Sequence, residues 1–198
     1  MDPNMCAIER RPSQSGYSPT QNPQYLGRLR AEIRAAFPGG CPATVSYEQL
    51  DALKLLRNIT EEVARVYPPV AVTSRENNRD TTLGGQFVPK GTMLVFAPWA
   101  LNRDPAVWGA DADEFRPERL DDEMVSGLSN YNVLTFLAGP RNCIGINFAK
   151  MEFKALLAAL VGRLDFEAPK RLEPMEIIGG ITNRPKDVTV KITVVDGW

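Results

Sequence analysis

The stretch FLAGPRNCIG, from Phe136 to Gly145, constrains this chain more than any other, because it places a cysteine among glycines directly before a helical run. Glycine has no Cβ, so Gly139 and Gly145 allow the backbone to approach a flat group closely. A helix N-terminus and its backbone N–H groups favour a thiolate at Cys143. The pattern therefore predicts a junction between a loop and a helix that either binds a metal through sulfur or buries a structural cysteine.

Two other side chains of this stretch fit the first of these alternatives. Arg141 offers a guanidinium that would bind a cofactor carboxylate through a charge-assisted hydrogen bond. Phe136 would cover the sulfur against water. For a lone cysteine the second alternative, a buried side chain with no ligand, is the more common outcome. The residues of this stretch alone leave both alternatives open.

Composition excludes several kinds of site. The 198 residues include no histidine, which rules out H-E-x-x-H zinc sites, Ser-His-Asp triads and histidine-ligated haem. Nucleophilic catalysis by Cys143 is disfavoured for the same reason, since no histidine is available as its base. The three cysteines form no C-x-x-C pair, so neither a disulfide framework nor a zinc knuckle is indicated. A net charge of −1 gives no basic excess for phosphates, and we expect no nucleic acid partner.

Hydrophobic periodicity predicts helices in the first third of the chain. Residues 1–21 are rich in Pro, Ser and Gln, which predicts a disordered leader before a domain over residues 22–198. An amphipathic helix is predicted from Pro23. One continuous second helix is predicted after a capping box of Ser46 and Gln49, with a stop at the double proline 68–69.

The rest of the sequence changes pattern three times. Residues 70–100 contain short β-prone runs separated by glycines, and residues 101–135 read as a long ordered meander. Residues 147–166 return to helical spacing, and residues 187–195 alternate like a strand. The long helix is predicted to have one apolar face, formed by Phe148, Met151, Leu156, Ala159 and Leu160. These patterns together predict a mainly α chain with small β-sheets, an α+β fold.

The segment EEVARVYPP, residues 61–69, places two opposite charges on one face of the second predicted helix. Glu62 and Arg65 stand three residues apart, which is a spacing for an ion pair. Glu61 is an alternative partner for Arg65, at four residues. Such pairs are common on solvated helix faces and contribute little to stability there.

These segments together resemble the cytochrome P450 superfamily. The resemblance rests on F-x-x-G-x-R-x-C-x-G at 136–145, on E-x-x-R-x-x-P-P at 62–69 and on FRPERL at 115–120. PKGT at 89–92 and the line from 102 to 120 resemble the family too. The similarity runs over residues 22–198 in the family's order, and residues 179–198 look most like filamentous-fungal members.

The resemblance implies the C-terminal, haem-binding part of that fold, with Cys143 as the axial ligand of the haem iron. It implies further cofactor-binding roles for Arg75, Phe136, Gly139, Arg141 and Gly145. Arg79 lies close enough to Arg75 in sequence to be an alternative to it. The resemblance also implies a buried structural network of Glu62, Arg65 and Arg119, and a substrate pocket bordered by residues 70–73 and 178–182.

The function implied by the resemblance is that of a haem-thiolate monooxygenase. Such an enzyme inserts one oxygen atom from O2 into a small organic substrate, with haem b as cofactor and electrons from NADPH through a separate NADPH-cytochrome reductase. The fungal likeness suggests secondary metabolism. The family is usually anchored at the endoplasmic reticulum, but the sequence shows no signal peptide or membrane anchor, so localisation stays open.

Two parts of the family pattern have no counterpart in the sequence. They are the N-terminal half and the central helix on the oxygen side of the haem, whose (A/G)-G-x-x-T motif is absent. We therefore expect a truncated or split chain, for which a separate N-terminal half is a candidate partner. Because oxygen chemistry needs an enclosed site, a remnant or haem-binding fragment without activity of its own is the alternative.

Overall fold

The structure is a computed structural model that describes residues 23–40, 44–122, 127–129, 131–167, 177–179, 182–186, 190–195 and 198. The predicted leader over residues 1–21 lies outside the described residues. Within them the chain combines helices with small antiparallel sheets, which confirms the predicted fold class.

The helices that form the core lie near the start and near the end of the chain. The α-helices are α1 (Pro23–Ala36), α2 (Tyr47–Asp51), α3 (Lys54–Val66), α4 (Pro98–Leu101), α5 (Pro105–Trp108) and α6 (Ile146–Arg163). Two 3₁₀ turns cover Pro117–Asp121 and Gly139–Arg141. The meander predicted over residues 101–135 is thus built, where it is described, from short helical turns.

Among the residues that the structure describes, the strands form four antiparallel pairs. They are β1 (Thr73–Glu76), β2 (Thr81–Leu83), β3 (Gln86–Val88), β4 (Met93–Phe96), β5 (Leu164–Glu167), β6 (Ile177–Ile178), β7 (Arg184–Pro185) and β8 (Lys191–Val194). β1 pairs with β4, β2 with β3, β5 with β8 and β6 with β7. The predicted β-prone runs of residues 70–100 and the closing strand are therefore confirmed where they are described.

The core lies where α1, α3 and α6 pack together. Leu29 and Ile33 of α1, Leu56 of α3 and Val161 of α6 are each no more than 1% exposed. Burial of an aliphatic side chain of this size contributes about 1.5–3 kcal/mol. This core fixes α3 and α6 relative to each other. The cysteine loop directly precedes α6 in the chain.

The prediction of one continuous helix after Ser46 is wrong. The capping box of Ser46 and Gln49 is present, but the helix ends at Asp51 and a new one begins at Lys54. The carboxylate of Glu32 on α1 accepts hydrogen bonds from the backbone N–H groups of Leu55 and Leu56, at 2.9 and 3.0 Å. The N-terminus of α3 is thus capped by another helix, a long-range contact that periodicity does not register.

The apolar face predicted for the last helix is not the face that packs into the core. Phe148, Leu156 and Leu160 are 74%, 57% and 46% exposed, whereas the buried positions include Lys154 and Ala158. α6 is apolar on most of its surface, so sequence spacing cannot choose between its faces. Small side chains allow the buried face to approach its neighbours closely, and Lys154 Nζ lies 2.5 Å from the carboxylate of Asp51. The helix also ends at Arg163, so residues 164–166 belong to β5 and not to the helix.

The last residue of the chain packs against α6. The indole Nε1 of Trp198 donates a hydrogen bond to the carbonyl oxygen of Phe37 at 2.7 Å. Its ring occupies the space beside Gly162, where an added Cβ would fall within 2.1–2.7 Å of three ring carbons. Glycine at position 162 is therefore required by the docked indole.

Candidate cofactor site

The cysteine loop, residues 134–145, is stabilised by hydrogen bonds within its own backbone. The N–H of Cys143 donates to the carbonyl of Phe136 at 2.8 Å, and the N–H of Leu137 donates to Leu134 at 3.1 Å. Gly139 has φ +78°, a left-handed conformation that glycine adopts without strain. Leu137 has φ +59°, the one positive φ of a non-glycine residue among the described residues. The backbone hydrogen bonds and the two positive φ angles thus define the conformation of the loop, which leads into α6.

Cys143 presents its sulfur at the N-terminal end of α6. It is an exposed free thiol, three residues before the helix begins. Gly145 is the N-cap of that helix and supplies no side-chain hydrogen bond to it. A Cβ added at Gly145 would lie 3.8 Å from the sulfur, so a side chain at this position would reduce the space around the sulfur. The exposed thiol beside a glycine and a helix N-terminus fits a sulfur ligand for a flat, iron-containing cofactor, and it does not fit a buried structural cysteine.

Two exposed apolar side chains follow Cys143 within five residues of sequence. Ile144 is fully exposed and Phe148 is 74% exposed, so both present hydrophobic surface on the same stretch of chain. Phe136 is half-buried, with the ammonium of Lys150 5.9 Å from its ring centroid. The ammonium of Lys150 on α6 lies 2.8 Å from the carboxylate of Glu61 on α3. Glu61 therefore ties α3 to α6, and the possibility that it pairs with Arg65 is not realised.

The two arginines expected to bind cofactor carboxylates lie on different elements. Arg141 ends the 3₁₀ turn within the cysteine loop and is exposed. Arg75 lies on β1, also exposed, and its guanidinium donates to Ser74 O at 2.7 Å and to Thr73 Oγ1 at 3.3 Å. Four other residues expected to bind the cofactor thus share the loop with Cys143: Phe136, Gly139, Arg141 and Gly145. Arg75 lies on β1, and the two hydrogen bonds given above join it to residues of that strand.

Glu62 and Arg65 form a buried ion pair on α3. Arg65 Nε donates to Glu62 Oε2 and Nη2 donates to Oε1, each at 2.8 Å, and neither side chain is more than 1% exposed. The remaining Arg65 donors reach three backbone carbonyls of the meander, those of Asn102, Ala112 and Glu114, at 2.6–3.0 Å. The pairing therefore offsets the cost of burying both charges and also fixes the path of the meander.

Arg119 joins this pair from the meander itself. Its Nε lies 3.5 Å from Glu62 Oε1, and the side chain is fully buried. Its other nitrogens donate to the carbonyls of Trp108 and Asp111 and to the Asp111 carboxylate, at 2.7–2.8 Å. Hydrogen bonding from Arg119 lowers the pKa of Asp111 below its usual value. The structure thus brings Glu62, Arg65 and Arg119 together, as the sequence led us to expect.

Sequence reasoning missed two buried side chains that join this network to the cysteine loop. Asn102 Nδ2 donates to Thr135 Oγ1 at 2.8 Å, and Asn102 Oδ1 accepts from the N–H of Leu134 at 2.8 Å. Asn102 is fully buried and Thr135 is 9% exposed. The double proline after α3 signals carbonyls that need other donors, but it does not identify Asn102 or Thr135 as those donors.

The two segments expected to border a substrate pocket are only partly described. In residues 70–73, Val70 and Val72 are 37% and 57% exposed. The second segment, 178–182, lies partly outside the described residues. In the part of the chain that is described, no helix combines the length and the apolar character needed to cross a bilayer.

Comparison with known proteins identifies the family. The family model for cytochrome P450 matches residues 19–192. The cytochrome P450 monooxygenase sphH of Aspergillus fumigatus is 42% identical over 190 residues, covering 92% of this chain and 35% of that protein. Cytochrome P450 3A29 of Sus scrofa is 36% identical, with 91% and 36% covered.

A further fungal relative gives the same picture. The cytochrome P450 monooxygenase buaD of Petromyces alliaceus is 37% identical over 188 residues, covering 88% of this chain and 35% of that protein. The chain thus spans about a third of the length of these curated relatives. Family membership implies a haem cofactor. With a matching family model, three such relatives and a cysteine loop of this geometry, the chain belongs to the cytochrome P450 family.

Proposed function

We propose that Cys143 is the thiolate ligand of a haem iron and that this chain supplies the sulfur side of a monooxygenase site. The observation that carries the proposal is the exposed sulfur just before α6, on a loop in which Gly145 places no side chain against it. The N-terminus of α6 favours negative charge on that sulfur. Ile144 and Phe148 would supply apolar surface for the macrocycle.

The cofactor would be haem b, held by the loop residues and by two arginines. Gly139 and Gly145 would allow the backbone to lie close to the ring, and Phe136 would shield the sulfur from water. Arg141 and Arg75 would bind the propionates through charge-assisted hydrogen bonds. Both arginines are exposed, so each is able to reorient towards a carboxylate without losing buried contacts.

Haem bound here would supply the redox chemistry: insertion of one oxygen atom from O2 into a small organic substrate, with electrons from NADPH through a separate reductase. The chain's own residues would hold the haem and orient it. Cys143 would donate electron density to the iron, and the network of Glu62, Arg65 and Arg119 would keep the meander behind the loop in place. The fungal relatives favour a substrate from secondary metabolism.

A second candidate is a chain that binds haem without turning over a substrate on its own. The observation in its favour is the exposure of Ile144 and Phe148 beside Cys143. Oxygen chemistry needs a site closed to water, and a separate N-terminal half would be the partner that closes it.

Reconstitution with hemin tests the ligand assignment. The purified 198-residue chain is loaded with hemin, reduced and exposed to CO, and the absorption spectrum is recorded. We expect a thiolate-type carbonyl band in the wild type and in a Cys41→Ser control, and its loss in Cys143→Ser. A band that survives in Cys143→Ser refutes the assignment. Product formation with NADPH and reductase then separates a monooxygenase from a chain that only binds haem.

The arginine roles are tested by hemin titration. Loss of a charge-assisted hydrogen bond weakens binding by roughly tenfold or more, so we expect Arg141→Gln and Arg75→Gln each to raise the hemin Kd by that factor. Arg79→Gln is the matched control, because Arg79 is also exposed and near Arg75. A raised Kd in Arg79→Gln together with an unchanged Kd in Arg75→Gln would transfer the role to Arg79.

A further inference from the structure

The double proline after α3 removes two backbone donors from the end of that helix. In an α-helix the N–H of residue 68 would bond the carbonyl of Ala64, and that of residue 69 would bond Arg65. Pro68 and Pro69 have no N–H group. The last turn of α3 therefore carries two carbonyls with no helical partner, at a position where Arg65 is 1% exposed. A buried carbonyl without a donor is costly, so other groups are needed to satisfy both.

Two side chains from later in the sequence supply the missing donors. Thr135 Oγ1 donates to the carbonyl of Ala64 at 2.5 Å. Asn102 Nδ2 donates to the carbonyl of Arg65 at 3.0 Å. These bonds replace the helical ones that the prolines remove, so α3 is capped by side chains and not by solvent.

The same two side chains hold the first residues of the cysteine loop. Asn102 Nδ2 donates its second hydrogen to Thr135 Oγ1 at 2.8 Å, and Asn102 Oδ1 accepts the N–H of Leu134 at 2.8 Å. The next bonds along the chain run from Leu137 to Leu134 and from Cys143 to Phe136. The cap of α3 and the start of the loop are therefore one hydrogen-bonded unit.

We infer that Asn102 and Thr135, which we call the loop anchor, are positioning residues for Cys143. Both N–H groups and the oxygen of the Asn102 amide are used, as are the donor and an acceptor site of the Thr135 hydroxyl. Removal of one member thus leaves several buried polar groups unpaired at once. As far as it concerns an iron ligand, this inference rests on the proposed function. The coupling of α3 to the loop does not depend on it.

Hydrogen exchange on the chain without haem tests the coupling. Thr135→Val keeps the side-chain shape but removes the hydroxyl, and Thr135→Ser restores it. We expect the protection factors of the Leu134 and Cys143 amides to fall by about tenfold or more in Thr135→Val and to recover in Thr135→Ser. Thr82→Val, on the exposed strand β2, is the matched control and should change neither. Unchanged protection in Thr135→Val overturns the inference.

A spectroscopic readout tests the positioning role separately. In hemin-loaded protein, we expect Thr135→Val to bind haem with a smaller thiolate-ligated fraction than the wild type, and Thr135→Ser to restore it. An equal fraction in Thr135→Val overturns the positioning role even if the exchange result holds. If the wild type shows no thiolate-type band, the proposed function fails and the exchange result alone decides the coupling.

The wild type provides a test even if Thr135→Val does not fold. The loop anchor predicts that the Leu134 amide is protected to a similar degree as the Tyr67 amide, which closes α3 by donating to Val63 at 2.8 Å. Exchange of Leu134 at the rate of an unstructured amide, with Tyr67 protected, overturns the inference.

Discussion

Replacing Gly162 with alanine should destabilise this chain, although the same change stabilises most helices. Alanine is favoured over glycine in a helix interior by about 1 kcal/mol. At position 162 the new Cβ would lie 2.1 Å from a ring carbon of Trp198, so the indole has to leave its site. Its departure loses the hydrogen bond to Phe37, about 1 kcal/mol net, and roughly 1–3 kcal/mol of apolar burial.

The net effect follows from the difference between these contributions. The expected loss is about 2–4 kcal/mol and the propensity gain about 1 kcal/mol, so Gly162→Ala should lower the free energy of unfolding by about 1–3 kcal/mol. Urea unfolding followed by far-ultraviolet circular dichroism measures it. Gly27→Ala in α1 is the matched control, because nothing lies within 4 Å of its added Cβ, and it should stabilise by up to about 1 kcal/mol.

The double variant provides the decisive comparison. In a Trp198→Ala background the space beside Gly162 is open, so Gly162→Ala should become stabilising by up to about 1 kcal/mol. The sign of the effect thus reverses with the presence of the indole. A destabilisation of equal size in both backgrounds would refute the docking of Trp198 on α6.

Three further changes probe the rest of the fold by the same urea assay. Arg65→Met leaves Glu62 buried without its bidentate partner, with Arg119 only at 3.5 Å, and should cost about 3–5 kcal/mol, so a loss below 1 kcal/mol would contradict the buried pair. Glu32→Ala removes the cap of α3 and should cost about 0.5–2 kcal/mol, whereas a neutral result would argue against the capping contact. The Asp111 pKa is lowered in the folded state, so its contribution is complete above pH about 4 and is lost as pH falls below that. Stability should therefore fall more steeply below pH 4 in the wild type than in Asp111→Asn, and equal slopes would contradict the pairing with Arg119.

Local patterns predicted much of the fold, because the interactions that produce them are local. The capping box of Ser46 and Gln49 needs only the spacing of two side chains, and it is present. The β-prone runs and the long helix were found in the same way. The family resemblance also implied the grouping of Glu62, Arg65 and Arg119, and the distances between these side chains agree with it.

The features that sequence reasoning missed depend on contacts between distant segments. Glu32 caps the start of α3 from 23 residues away, a contact that periodicity does not detect. The buried face of α6 is selected by its neighbours, since leucines and alanines occupy several of its sides. Asn102 and Thr135 read as meander residues until the carbonyls they satisfy are seen. In each case a backbone group or helix face had to be satisfied by a partner that the local sequence does not show.

Iron X-ray absorption reports the atoms bound to the metal, so it tests directly whether Cys143 is the ligand of the haem iron. The chain is loaded with hemin under reducing conditions and compared with Cys143→Ser and with Cys41→Ser. We expect one sulfur neighbour of the iron in the wild type and in Cys41→Ser, and none in Cys143→Ser. Bound iron with no sulfur neighbour in the wild type, or with a sulfur neighbour retained in Cys143→Ser, would contradict this ligand assignment.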